Sequence, residues 1–316
     1  MVARVLHAAR PAGLTAGSLE RRPAAPSFAE AVTAWWADAR TERDRYPWRG
    51  RSDPWGILVS EVMLTQTQAA RVAAPFVGFM EAFPTPAACA VAAPGDLLRA
   101  WQGLGYNGRA LRLHRCAEVI VNRHGGEVPE GLDQLLALPG VGAYVARALA
   151  AFAFDTSVGV VDTNIGRVLA RAVAGSRLGP RAAQDLADSL VPAAGGRDWN
   201  LALMDLGSLL CRKAAPRCSE CPVAASGSCA WRAAGGDGDP AVGSAAAGRR
   251  QSAFGGSDRQ YRGRIVAIAC ERELSRDEVA PLIGLAAAPE RALRILGDLV
   301  REGFLVERPG GALTLP

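Results

Sequence analysis

The sequence predicts an all-α main body followed by a small winged-helix-like module, and three observations carry that reading. From Ser27 to about Trp231, apolar residues recur at three- and four-residue spacing, with Gly or Pro punctuating the runs. Alternating apolar and polar runs, or β-branched stretches long enough for a sheet, are almost absent there. Past a Gly-rich break, three helical patterns lead into two short strands about Pro309-Gly310-Gly311, the outline of a winged helix-turn-helix.

The elements follow in order. Residues 1–26 are rich in Ala and Arg and nearly free of acids, which reads as a disordered tail, with a transit peptide as the alternative. FAEAVTAWWADAR, GILVSEVMLTQTQAARVAAPFVGFM, LRLHRCAEVIVNRH and LALMDLGSLLCRK carry the helical period of the main body, residues 27–231. Residues 232–259 read as a linker, because small residues and scattered Gly bury too little apolar surface to offset ordering entropy. In residues 260–316, YRGRIVAIACERE, DEVAPLIGL and PERALRILGDLVREG read as helices, the second opened by a Ser275–Glu278 capping box.

Composition bounds the function. At 316 residues and 49% apolar content the chain has room for two or three domains. Its 36 Lys and Arg against 31 Asp and Glu give +5, a balance that suits a polyanionic partner without demanding one. No stretch approaches the ~20 apolar residues of a membrane span, since Arg, Asp, Gly and Pro break the Ala-rich segments. Seven cysteines are an odd number, and four of them crowd into 211–229, which is no secreted disulfide framework.

Cys211, Cys218, Cys221 and Cys229 stand as C-x6-C-x2-C-x7-C. Four soft ligands in one short loop imply a metal: an iron–sulfur cubane, or a zinc ion with four thiolate ligands, which spacing alone leaves open. Cys89, Cys116 and Cys270 fall in helical apolar patterns and read as inert core residues.

Leu138-Pro139-Gly140-Val141-Gly142 lies between two amphipathic runs. Glycines at alternate positions allow a tight turn whose N–H groups, at the start of the second helix, favour an anion such as a DNA phosphate; an ordinary helix–helix turn is the plainer reading. Asp162 follows an apolar run and precedes a helix, so it reads first as an N-cap. Glu61 is flanked by Leu58, Val59, Val62 and Met63, surroundings that raise a carboxyl's pKa and let it act as an acid; a surface glutamate on the helix's polar face is the plainer reading. A carboxyl that donates a proton beside one kept ionised is what glycosidic cleavage requires: the leaving group is protonated and an oxocarbenium-like sugar is stabilised. In DNA the base must also leave the stack to be reached.

At this point six ordered motifs resemble a known family: PWR at Pro47–Arg49, SEVML at 60–64, GLGYNGRALRLH from Gly103, LPGVGAYVARALAAFAF from Leu138, VDTNIGRVLAR from Val161 and MDLGSLLC from Met204. With the cysteines, they look like the MutY-like adenine DNA glycosylases of the helix-hairpin-helix (endonuclease III) superfamily, in register over about 28–231. The resemblance implies two helical lobes with DNA between them, a six-helix barrel lobe over about 56–160 and a cluster lobe from 27–55 and 161–231, and a [4Fe-4S] cluster on Cys211, Cys218, Cys221 and Cys229. It implies that Glu61 protonates the base, that Asp162 stabilises the oxocarbenium ion, and that Tyr144 and Asn164 position the acids and water. Leu64, Gln66 and Tyr106 would wedge into the stack, Thr67 would touch the orphan guanine, Trp48 and Arg49 would lie against the DNA, and Gly140, Val141 and Gly142 would hold a phosphate.

Endonuclease III-like members have lysine where this chain has Tyr144, and a phenol forms no Schiff base, so the resemblance implies a monofunctional enzyme acting on adenine mispaired with guanine or 8-oxoguanine. It further implies a monomer at work in the bacterial cytoplasm on mismatched or damaged duplex DNA, with no membrane partner. The departures are specific. Thr65-Gln66-Thr67 replaces the family's QQT, Tyr106-Asn107 replaces two aromatics, and the last cysteine gap is seven residues instead of five. Only 57 residues follow the linker, too few for the Nudix-like domain with which the family senses 8-oxoguanine. Arg259, Arg262 and Arg264 of this module are expected to add phosphate contacts, with a packing or protein-contact domain as the alternative. A thymine or uracil mismatch glycosylase is the alternative, and a non-catalytic cluster-bearing DNA-binding protein a more distant one.

Overall fold

The computed structural model describes residues 26–38, 45–244 and 253–316. The expected N-terminal tail falls outside these residues, apart from Pro26. Among the described residues the fold is helical, and the strands are confined to one short hairpin near the C-terminus. No described helix is long and apolar enough to cross a membrane.

Helix α1 (Phe28–Asp38) is followed by α2 (Pro54–Leu64), which opens on Pro54 with Asp53 as its cap, accepting from the Gly56 amide at 2.8 Å. Nine of the eleven α2 residues are buried, so this helix is apolar nearly all round and runs through the middle of its neighbours. Against it pack α3 (Ala69–Ala82), α6 (Gly108–His124) and α8 (Ala143–Phe154), while α4 (Pro86–Val91) and α5 (Pro94–Ala100) pack on α6, and α7 (Leu132–Leu136) packs on α8. Trp101, Phe76, Phe79, Leu58, Met63 and Leu149 are among the large, fully buried side chains here.

A second group comprises α9 (Thr163–Val168), α10 (Pro180–Leu190), α11 (Gly196–Asp205), α12 (Pro222–Ala225) and α13 (Ala230–Ala233). Both α9 and α11 run on as π-helix, over Leu169–Ala174 and Leu206–Leu210, a widening that often accompanies functional sites. The N-terminal α1 packs on α11 and α12, with Phe28 edge-on to Trp199 at 6.1 Å, so the two ends of the main body close on each other.

After residue 253 come α14 (Asp258–Glu271), α15 (Arg276–Leu282), α16 (Pro289–Arg301) and the hairpin of β1 (Val306–Glu307) with β2 (Leu313–Thr314), to which Leu274 adds a bridge opposite Leu313. The Ser275–Glu278 capping box is formed. This module rests on α5: the Gly95 amide donates to the Pro316 carbonyl at 3.0 Å and Arg99 to the Cys270 carbonyl at 3.3 Å. Two of the three arginines expected to face phosphates are committed internally, Arg262 to both carboxylate oxygens of Glu302 and Arg264 to the Ile283 carbonyl. Arg259 reaches back to the main body, 3.2 Å from the Tyr106 hydroxyl.

The linker reading needs correction at both ends. The module's first helix begins at Asp258, capped by Ser257, and residues 237–244 are packed although they carry little apolar surface. Polar pairs hold them: Asp239 takes two bonds from Arg171 at 2.8 and 2.6 Å, Ser244 caps the Leu178 amide at 3.1 Å, and Ala241 and Ser244 are buried. Arg171 is itself only 2% exposed, so removing its counter-charge leaves a guanidinium in the interior. Asp239→Asn is therefore expected to lower unfolding stability by about 2 kcal/mol, less than a fully buried pair because Asp239 keeps contact with water. An unchanged urea midpoint would show that the 237–244 segment is not held by this pair.

Candidate active site

Between α2, the starts of α8 and α9, and α11 with its π continuation lies a cavity of about 840 Å³. Its wall includes Glu61, Tyr144, Asp162 and Asn164, four side chains from three helices that lie far apart in sequence. Glu61 enters from the buried face of α2 and is 5% exposed. Its Oε2 accepts from the Tyr144 hydroxyl at 2.9 Å. Burial pushes the Glu61 carboxyl up to about 7, against the lowering effects of the Tyr144 hydrogen bond and the Arg49 charge, with the nearby Asp162 adding to the rise. Tyr144 is held well above the usual phenol range, by burial first and then by the charge of Glu61.

Asp162 is the N-cap of α9, and the same geometry makes it part of the site. Its Oδ1 accepts from the Asn164 and Ile165 amides at 2.9 and 2.7 Å, and its Oδ2 from the Asn164 side-chain amide at 2.8 Å. Burial raises the Asp162 carboxyl, while these three donors and Arg167 oppose the rise and favour the anion. The two carboxyls thus differ in kind: one receives a single hydroxyl, the other a full set of donors at a helix start.

Sequence reasoning gave no role to Arg167, which organises this corner. It donates to Asn164 Oδ1 at 2.9 Å, to the Gly207 carbonyl at 2.5 Å and to the Cys211 carbonyl at 2.6 Å. A chain of bonds therefore runs from Asp162 through Asn164 to the first cysteine. Gly207 is required at its place, because a Cβ there would stand 2.7 Å from Asn164 Cβ. Arg49 pairs with Asp205 at 2.6 Å, and its Nη1 is buried with no hydrogen-bond partner among the described residues. Trp48 is 7% exposed, stacks on Tyr46 at 4.9 Å and lines the same cavity as Arg49.

Leu64, Gln66 and Thr67 line the mouth of the cavity. Gln66 has φ +62° and Tyr106 φ +48°, left-handed values that cost a side-chain-bearing residue free energy. A buried guanidinium joins the two loops. Arg109 donates to the Val62, Met63 and Thr65 carbonyls at 2.9, 2.8 and 2.5 Å, and to Thr67 Oγ1 and the Gly105 carbonyl at 2.9 and 3.0 Å. It was legible only as one Arg in an amphipathic helix. Thr67 Oγ1 also donates to the Leu104 carbonyl at 3.3 Å, so this hydroxyl braces the two loops.

The hairpin stands between α7 and α8. Gly140 has φ +80°, the Val141 side chain is buried, and Gly142 caps α8 with no side-chain acceptor on the first-turn amides. Those N–H groups at a helix start suit an anion.

Cys211 ends the π segment of α11, Cys218 and Cys221 flank a short 3-10 turn, and Cys229 precedes α13. All four thiols line one small cavity whose remaining wall includes Val168, Leu206, Val223 and Trp231. Burial raises the Cys211 and Cys221 thiols, opposed at Cys211 by Arg171, 3.5 Å from the sulfur, and at Cys221 by the Ala224 and Val223 amides. Two residues beyond the family's last spacing fit in the turn at 226–228, which closes on the Val223 and Ala224 carbonyls. Among the described residues no three His, Cys, Asp or Glu side chains gather closely enough to hold a single ion. Cys89 and Cys116 are buried in the core, their thiols pushed up to about 12 chiefly by burial.

Comparison with known proteins adds three relatives. The sequence pattern of the HhH-GPD superfamily base excision DNA repair proteins matches residues 59–192. An adenine DNA glycosylase of Mycobacterium tuberculosis is 42% identical over 296 residues, 90% of this chain and 92% of that protein. A thymine/uracil-DNA glycosylase of Methanothermobacter thermautotrophicus is 32% identical over 199 residues, 61% of this chain and 89% of that protein. Among solved structures, a thermostable thymine-DNA glycosylase superposes with a TM-score of 0.59 and 30% identity, covering 66% of this chain and 95% of that one.

The buried carboxyl of Glu61 makes stability depend on pH with a definite sign. Between its ordinary value of 4.5 and about 7, the folded chain keeps a proton that the unfolded chain has released, so stability falls as pH rises through that window and the full loss is reached above it. Glu61→Gln removes the effect: the variant matches the parent at pH 4 and exceeds it at pH 8 by on the order of 3 kcal/mol. Parallel pH profiles of the urea midpoint for the two proteins would refute the assignment.

Proposed function

The chain belongs to the adenine DNA glycosylase family, within the helix-hairpin-helix superfamily of base excision repair proteins, and we propose that it hydrolyses the N-glycosidic bond of adenine mispaired with guanine or 8-oxoguanine. The observation that carries this reading is the pairing in one cavity of Glu61, raised to about 7 and bonded to Tyr144, with Asp162, fixed by three donors. The match to the mycobacterial enzyme spans 90% of the chain and so extends into the C-terminal module, whereas the thymine/uracil relative covers 61%. This favours adenine over a pyrimidine as the base removed.

In the proposed reaction the flipped base occupies the cavity and Glu61 gives its proton to a ring nitrogen of the base. The C–N bond breaks with its electron pair going to the base, and the Asp162 carboxylate stabilises the oxocarbenium ion left on the sugar. Water adds to the anomeric carbon, and its proton returns to Glu61. Asn164, fixed by Arg167, keeps Asp162 oriented. Tyr144 holds Glu61 but offers no amine, so no imine to the sugar forms and the strand stays intact. Arg49 Nη1, buried without an acceptor among the described residues, is suited to a substrate oxygen or ring nitrogen.

Leu64, Gln66 and Tyr106 are the proposed wedge, with Thr67 and Arg109 as its brace, and the amides behind Gly140–Gly142 are the proposed phosphate seat on mismatched duplex DNA. One active site per chain makes a monomer sufficient. The four cysteines suit a [4Fe-4S] cluster better than zinc. The donors are all thiols lining one cavity with apolar walls, the Arg171 guanidinium approaches the Cys211 sulfur, and the Ala224 and Val223 amides approach Cys221, the N–H surroundings that cluster sulfurs accept. When bound, the cluster would cross-link the 211–229 loop, from which Arg167 and Arg171 take their acceptors.

Single-turnover assays on duplexes with A opposite 8-oxoguanine, A opposite G, T opposite G and U opposite G test the reading. Adenine release is expected, with Asp162→Asn and Glu61→Gln each slower by ~100-fold or more. Release of thymine or uracil alone would overturn it, and borohydride trapping of a protein–DNA adduct would refute the monofunctional assignment. Purified protein should carry iron and acid-labile sulfide in equal amounts, lost in Cys221→Ser; zinc without sulfide would refute the cluster.

A further inference from the structure

Gln66 lines a second cavity as well as the catalytic one. This second space, about 790 Å³, opens on the far side of the 103–108 loop and is walled opposite by α14 and the end of α16. Four arginines line it, Arg71, Arg112, Arg259 and Arg262, against one acid, Glu302, which Arg262 already neutralises. Phe254 stands at its edge, 57% exposed, an unusual place for a phenyl ring in a basic groove. The Arg259 guanidinium lies over Phe254 at 5.4 Å and over Tyr106 at 5.7 Å, while its Nη1 donates to the Tyr106 hydroxyl at 3.2 Å.

The two cavities therefore meet at Gln66, and the other left-handed residue, Tyr106, stands in the wall of the second. A side chain driven through a base stack has one strand on each side of it. The catalytic cavity takes the nucleotide that loses its base, so the far side is where the complementary strand runs. Cations with an exposed aromatic surface beside them match the chemistry of a nucleic-acid strand, with phosphates for the guanidinium groups and a flat base or sugar edge for the ring.

We propose that the junction between the main body and the C-terminal module seats the DNA strand opposite the base to be removed, with Arg71 and Arg259 on its phosphates and Phe254 against the adjoining nucleotide. The inference rests on the DNA glycosylase reading but not on which base is excised. It gives the C-terminal module a part in holding DNA through Arg259 and Phe254, in place of Arg262 and Arg264, whose guanidinium groups face Glu302 and the Ile283 carbonyl.

The test uses the full-length protein and a duplex carrying a tetrahydrofuran abasic analogue opposite guanine, so that binding is read without base excision. Arg71→Ala and Arg259→Ala are each expected to lower the slope of log Kd against log salt by ~0.9 and to weaken binding at fixed salt by ~3–10-fold. Arg181→Ala, a 96% exposed arginine on α10, is the control with unchanged slope. A neutral methylphosphonate beside the guanine should weaken the parent protein and have little further effect on Arg259→Ala. Unchanged salt slopes in both arginine variants, or sensitivity only to methylphosphonates on the abasic strand, would overturn the proposal. Either result leaves adenine excision, measured separately, to stand or fall by itself.

Discussion

The burial of one carboxyl group, Glu61, is the constraint around which the molecule is arranged. Helix α2 is apolar nearly all round because it runs through the middle of its neighbours, and that same placement takes Glu61 out of water. Ionised, such a group would cost several kcal/mol. Tyr144 and Arg49 relieve part of this cost, enough to leave the carboxyl poised near neutrality instead of permanently protonated. Arg49 in turn needs Asp205 to hold it, and Asp205 closes α11, whose π continuation abuts Asn164. The Arg49 support for the first carboxyl thus leads to the element packed against Asn164, which fixes the second.

Buried and half-buried arginines supply ties between segments, and they do so mostly by donating to main-chain carbonyls. Arg109 gathers the end of α2 and the 104–105 loop, Arg197 links the Phe152 carbonyl to those of Arg49 and Arg51, and Arg171 joins the 211–213 carbonyls to Asp239. Helix ends and turns expose carbonyls that no helix bond uses, and a guanidinium can serve several of them from one side chain. Lysine, with a single compact charge, could not replace it at these places. Desolvation brings Arg109 down to about 10, which leaves it cationic at neutral pH and able to serve the partial negative charge at the end of α2.

Much of this was legible in the sequence, and what was not has a common cause. The period of apolar residues gave the helices, and the apolar neighbours of Glu61 gave its raised pKa. Asp162 was read as a cap or as a site residue; the geometry makes it the cap of α9 and a wall of the cavity at once. Arg109 and Arg167 were not found, because an arginine at helical spacing looks like a solvated face and a bond to a carbonyl leaves no mark on the partner's identity. The packing of 237–244 escaped for a related reason: compositional reasoning weighs apolar area, and this segment is held by charge and hydrogen bonds. The π continuations had no sequence signal that distinguishes them from ordinary helix.

Gln66 and Tyr106 take left-handed conformations in loops that Arg109 braces from within the fold. With these residues as the probe of the stack, the conformational work of presenting them belongs to folding and is not repeated at each encounter. A repair enzyme must sample on the order of a million or more undamaged pairs for each target. With the probe fixed in advance, the dwell time at each pair is governed by how readily that pair opens. A mismatch, which opens more easily than a sound pair, is then distinguished by the mechanical compliance of the DNA before any base is recognised chemically.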